Sequence, residues 1–109
     1  MKVLQLNTKK SFVAAIELAR ITRGKEDFIC LITEPYRHKG KVASVPRGTK
    51  IVCPRVNPRA AIFYNGQHDL LEIESLMNQD CAVAVLKTPA RNILIASCLL
   101  YTSPSPRDS

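Results

Sequence analysis

A chain of 109 residues has room for one small domain with a modest core, and 46% hydrophobic residues with no Trp point to a core of Leu, Ile, Val and Ala. No apolar run approaches the ~18 residues of a membrane span, and Met1-Lys2 leads into Val3-Leu4-Gln5-Leu6, which reads as a strand, so neither a span nor a signal peptide is expected. The net charge of +7 is uneven: from Pro35 to Arg59 there is no acidic residue, while Arg37, Lys39, Lys41, Arg47, Lys50, Arg55 and Arg59 are all cationic. With Gly40, Gly48, Pro46, Pro54 and Pro58 among them, these cations read as a basic surface loop suited to a polyanion. A merely solvated loop is the alternative.

Val3 to Leu6 is a short apolar run ending in Asn7. A helix is predicted from about Lys9 to Arg23, because Phe12, Ala15, Ile16 and Ala19 recur at helical spacing and Gly24 stands where a cap belongs. Phe28 to Ile32 is too short and too uniformly apolar for a surface helix and fits a strand covered on both faces. Pro35 ends it, since proline has no amide to donate to a ladder. Strand, helix, strand in so short a span is a βαβ unit with a right-handed crossover and parallel strands. That topology puts Asn7 and Glu34, each directly after its strand, on one edge of the sheet, where open α/β sheets keep their ligands.

Further along, Ala60 to Tyr64 followed by Asn65-Gly66 predicts a strand entering a tight turn, with Leu70 to Ile73 as the second arm of a hairpin. Cys81 to Leu86 and Asn92 to Ala96 are two more strands, so a mixed sheet with a meander is expected. Cys30, Cys53, Cys81 and Cys98 show no C-x-x-C spacing, and buried free thiols in a reducing compartment are favoured over disulfides or zinc. Residues 98–109 carry Ser and Pro without periodicity and resemble the translated reading of a sequencing-library adaptor. An artefactual, disordered tail is expected there, a natural Ser/Pro tail being the alternative.

Asn7 and Glu34 alone suggest a divalent-cation site: the carboxylate is a hard oxygen ligand and the amide can orient a phosphate or water. From these two residues alone a turn-forming Asn and a solvated Glu are the favoured reading. The wider pattern of LQLN, an apolar-faced helix, FICLITEPY with its basic loop, and RAAIFYN resembles the amino-terminal part of the exonuclease, endonuclease and phosphatase superfamily. Within it, the pattern resembles most the endonuclease domain of insect-type, LINE-like non-LTR retrotransposons. The similarity runs from about Val3 to Ser97 within an expected domain of residues 1–97, and its most specific pieces are QLN and EPY.

The resemblance implies an α/β (α+β) fold, a partial four-layered sandwich with a mixed β-sheet and a leading βαβ unit. It implies hydrolysis of a phosphodiester with Mg2+ (or Mn2+), nicking target DNA for a retroelement. Asn7 and Glu34 match the family's catalytic and metal-binding Asn and Glu, and Tyr36, Arg37, Lys39 and Lys41 fall in a loop expected near the DNA. The parent polyprotein would include a reverse transcriptase and work inside the cell, in the nucleus. Where the family places a Tyr in a Ser-x-Tyr context, Ser97-Cys98 is followed by Leu99, and the later Asp-x-Asn and Ser-Asp-His motifs have no counterpart. The expectation is a fragment of an endonuclease, inactive as truncated. A small basic nucleic-acid-binding module without catalysis is the alternative.

Overall fold

In the computed structural model, which describes residues 2–23, 27–43, 45 and 48–99, the chain opens with strand β1 (Lys2–Asn7), helix α1 (Phe12–Thr22) and strand β2 (Phe28–Thr33). β1 and β2 pair in parallel from Lys2 opposite Phe28 to Asn7 opposite Thr33, so the expected βαβ unit is formed. The helix starts later than its periodicity suggests. Lys9 and Lys10 have φ of 52° and 59°, a left-handed backbone that a right-handed helix cannot include. Ser11 caps it instead, its hydroxyl accepting from the Ala14 amide at 3.1 Å. Ser11→Ala is expected to cost about 1 kcal/mol, read as a lower urea midpoint at unchanged slope.

The face that α1 buries is Ala15, Leu18 and Thr22, not the predicted stripe through Phe12 and Ile16, which are 50% and 47% exposed. Both stripes contain Ala15 at helical spacing. The packing partner therefore decides between them, and Leu18 is the side chain that reaches the sheet. Phe12 instead meets Tyr36, ring centroids 5.0 Å apart. The Gly24 cap predicted from sequence lies outside the described residues.

After β2 come a two-residue pair of strands, β3 (Arg37–His38) and β4 (Lys41–Val42), then β5 (Lys50–Val52) and β6 (Ala60–Asn65). The main sheet has the order β1-β2-β6-β5, parallel between β1 and β2 and antiparallel elsewhere. A second, antiparallel sheet holds β7 (Asp69–Glu72), β8 (Cys81–Lys87) and β9 (Asn92–Cys98), with one turn of 3-10 helix at Glu74–Leu76 between the first two. Alternation along the central strands explains their uniformly apolar composition. Phe28, Cys30, Ile32, Ala61 and Phe63 face α1 and Leu18, while Ile29, Ala60, Ile62 and Tyr64 pack with Ala82, Ala84 and Leu86 of the second sheet. Helix, mixed sheet and antiparallel sheet thus make successive layers of a mixed α/β structure, and β2 is covered on both faces as its composition predicts.

Three expectations are corrected. The strands on either side of Asn65-Gly66 do not form a hairpin: β6 lies in the main sheet and β7 in the second. The buried Tyr64 decides this, because its ring is packed between the sheets and its hydroxyl accepts from the His68 amide at 3.1 Å, steering the chain across to the other layer. The basic segment is not all loop, since it contributes the β3–β4 hairpin, turned through Lys39 and Gly40 at φ 55° and 79°, and the edge strand β5. Arg47 and Pro46 of that segment, and residues 100–109 of the tail, lie outside the described residues. Finally, Cys81 and Cys98 are joined as a disulfide, Cα atoms 4.1 Å apart, because the β8–β9 register sets them directly opposite. Cys30 and Cys53 are free, and burial pushes the Cys30 thiol up to about 11. No described helix is long and apolar enough to cross a membrane.

Candidate active site

Parallel pairing of β1 and β2 brings their carboxyl ends together, with Asn7 as the last residue of β1 and Glu34 directly after β2. Asn7 Nδ2 donates to Glu34 Oε1 at 3.1 Å, across 27 positions of sequence. The amide is held in that orientation from its other side, because Asn7 Oδ1 accepts from the Lys9 amide at 2.8 Å. Asn7 is therefore placed to aim the carboxylate. Its Oδ1 accepts one hydrogen bond already, whereas Glu34 Oε2 accepts none among the described residues.

Glu34 itself sits at φ 51°, a conformation that non-glycine residues adopt at a cost of order 1–3 kcal/mol and keep only where the surroundings impose it. They do so here. Its amide donates to the Arg59 carbonyl at 2.9 Å, and its own carbonyl accepts from Thr8 Oγ1 at 2.5 Å and from the Lys10 amide at 2.8 Å. Thr8 is buried, and its amide donates to Thr33 at 3.1 Å, so one residue fixes both the strand end and the bend after it. Arg59 is held in turn by Gln79, whose carbonyl accepts from its amide, and by Asp80 at 3.4 Å from its guanidinium. Pro35 then buries itself and turns Tyr36 back over Phe12.

The cations of the basic segment divide into two sets. Arg55 is paired with Glu74 and Arg59 with Asp80, so these two hold the second sheet's connections against the first. Arg37, Lys39 and Lys41 form no ion pair among the described residues and lie on the β3–β4 hairpin that begins directly after Tyr36. Sequence reading missed Thr8 and Lys10, and named Arg59 only as a cation of the basic segment. Only Thr8, adjacent to Asn7, carried any local signal; Lys10 and Arg59 reach the site through the fold.

The residues present fit a magnesium ion that keeps much of its water. Magnesium is commonly held by one or two carboxylates, with waters and substrate phosphate oxygens in the remaining positions. Glu34, with one oxygen hydrogen-bonded to Asn7 and the other without a partner among the described residues, could supply one such ligand. No group of three or more His, Cys, Asp or Glu able to hold a metal exists among the described residues.

Ser97 connects the last strand to the same place. Its side chain is buried, and its hydroxyl donates to the Ile32 carbonyl at 2.9 Å. The carboxyl end of β9 therefore lies beside the carboxyl end of β2.

No protein-family model matches the chain, and no curated protein matches it. Among solved structures it is similar to the endonuclease domain of TRAS1, a telomere-specific non-LTR retrotransposon, with a TM-score of 0.64 and 25% sequence identity. The match covers 88% of this chain and 42% of that one, so the chain spans less than half the length of the structure it resembles. The resemblance carried by QLN and EPY is borne out: the chain has the nuclease-like fold of a non-LTR retrotransposon endonuclease domain.

Proposed function

We propose that this chain is the amino-terminal part of a magnesium-dependent DNA endonuclease domain, one that nicks target DNA for a retroelement, and that it does not complete the catalytic centre by itself. The observation that carries this reading is the 3.1 Å contact between Asn7 and Glu34 at the ends of two parallel strands, with Glu34 held in a costly backbone conformation. A solvated surface carboxylate has no need of three backbone contacts and an amide to aim it.

In this reading bound magnesium supplies charge stabilisation at a phosphoryl oxygen. Glu34 Oε2 offers the hard ligand, and Asn7 keeps the carboxylate from rotating away. Arg37, Lys39 and Lys41 draw the DNA backbone to the same edge, and Tyr36, braced on Phe12, bounds the path beside them. The parent polyprotein would carry a reverse transcriptase and act in the nucleus.

Titration with Mg2+, and with Mn2+ as a paramagnetic probe, tests the metal site. Amide resonances of Asn7, Thr8 and Glu34 are expected to move or broaden first, and Glu34→Gln to abolish the effect. Broadening that survives Glu34→Gln would leave a basic binding module without chemistry as the better account. DNA binding is expected to be weak and steeply salt-dependent. Replacing Arg37, Lys39 and Lys41 by Gln together should reduce the slope of log K against log salt by about 2 to 3. An unchanged slope would place the DNA on another surface.

A further inference from the structure

We propose that the cleft of about 280 Å³ lined by Lys10, Arg37, Gly40 and Asn57 is an anion subsite that takes a backbone phosphate of a nucleic acid. It lies beside the Asn7–Glu34 pair and is separate from it, and it rests on the proposed endonuclease reading only for the source of the phosphate. The lining comes from parts of the chain far apart in sequence: the residue before the Ser11 cap, the β3–β4 hairpin and the loop before β6. No carboxylate lines it. Lys10 and Arg37 bring two positive charges to one concavity, and neither side chain has a hydrogen bond or ion pair among the described residues. Arg20, Arg55 and Arg59, in contrast, are paired with Glu17, Glu74 and Asp80. Like charges gathered in a concave surface repel one another, and an anion between them relieves that repulsion.

The backbone around the cleft adds to the case. Lys10, Gly40 and Asn57 have φ of 59°, 79° and 42°, and Lys9 and Lys39, next to lining residues, have 52° and 55°. These left-handed turns are held in place: the Lys10 amide donates to Glu34, and the Asn57 carbonyl accepts from Gln79 Nε2 at 3.3 Å. The hairpin turn and the Asn57 loop also close on each other, since a Cβ at Gly40 would stand 3.5 Å from Asn57 Oδ1. Asn57 thus lines the cleft together with the two cations. Lys10 directly precedes Ser11, the cap of helix α1, so the amino-terminal end of that helix starts next to a lining residue. The Lys10 amide donates to the Glu34 carbonyl, so the cleft and the Asn7–Glu34 pair are joined through the backbone.

The test is an NMR titration of the whole chain with inorganic phosphate in the absence of divalent cations, at constant ionic strength. Amides of Lys10, Gly40 and Asn57 are expected to shift saturably, and the double variant Lys10→Gln, Arg37→Gln to lose at least ~10-fold in affinity. The control pair Lys50→Gln, Arg91→Gln, with the same charge removed elsewhere, should leave it unchanged, and amide dispersion verifies that each variant is folded. Glu34→Gln should leave phosphate binding intact, so failure of the metal site and failure of the anion subsite are read separately. A short DNA duplex should move the same amides. Shifts spread evenly over all cationic residues, or equal loss in the control pair, overturn the subsite; phosphate shifts that the duplex does not reproduce overturn a nucleic-acid source.

Discussion

Supercoiled plasmid incubated with residues 1–109 and magnesium is expected to stay intact, whereas the chain continued by natural sequence beyond Ser97 nicks it and loses at least ~100-fold in rate on Glu34→Gln. Phosphodiester cleavage needs a positioned base and charge stabilisation on more than one side of the phosphate. At the Asn7–Glu34 site the carboxylate is that of Glu34, and the chain has two histidines, His38 and His68. His68 follows the end of β6 that pairs with the start of β2, at the opposite edge of the sheet from Glu34, so it cannot serve as the base. His38 is exposed on the short hairpin. The Ser97 bond to Ile32 places the end of β9 beside the carboxyl end of β2. Robust magnesium-dependent nicking by residues 1–109 would show that the chemistry needs fewer groups than this.

Unfolding in urea should be far more sensitive to Ile62→Ala than to Leu94→Ala. Ile62 is fully buried at the centre of the layer where the main sheet meets the second, packed with Tyr64, Ala84 and Leu86. Removing its side chain leaves a void that backbone on both sides prevents from closing, a change that costs 2–5 kcal/mol in comparable cores. A domain of this size has little more than that to lose. Leu94 is 62% exposed on an edge strand, and its loss should fall within about 0.5 kcal/mol of neutral. Equal effects from the two substitutions would mean that the sheets do not pack as described. Gly66→Ala should resemble Ile62→Ala, because a Cβ there would come within 2.3 Å of the Tyr64 hydroxyl and drive that buried ring from its place. Val3 and Leu6 on edge strand β1, Val13 and Ile16 on α1, and Leu94 on β9 remain exposed apolar surface, so these edges are where association between copies should begin.

The βαβ unit was legible from sequence because each of its signals is local: an apolar run, a helical repeat and a proline stop. The parallel topology then follows from handedness, and with it the meeting of Asn7 and Glu34. The double burial of β2 was likewise written in its composition. What stayed hidden was decided by contacts between distant segments. The Asn65-Gly66 pair favours a tight turn, but whether the flanking strands pair depends on where Tyr64 finds its packing partners in β8, and those partners pull β6 and β7 into different layers. Ala15 belongs to either stripe of α1 until Leu18 meets the sheet. Cys81 and Cys98 become partners only through the β8–β9 register. Glu34 adopts its left-handed backbone because Thr8, Lys10 and Arg59 converge on it, and Lys10 meets Arg37 and Asn57 for the same reason: only the folded chain brings these residues within reach of one another.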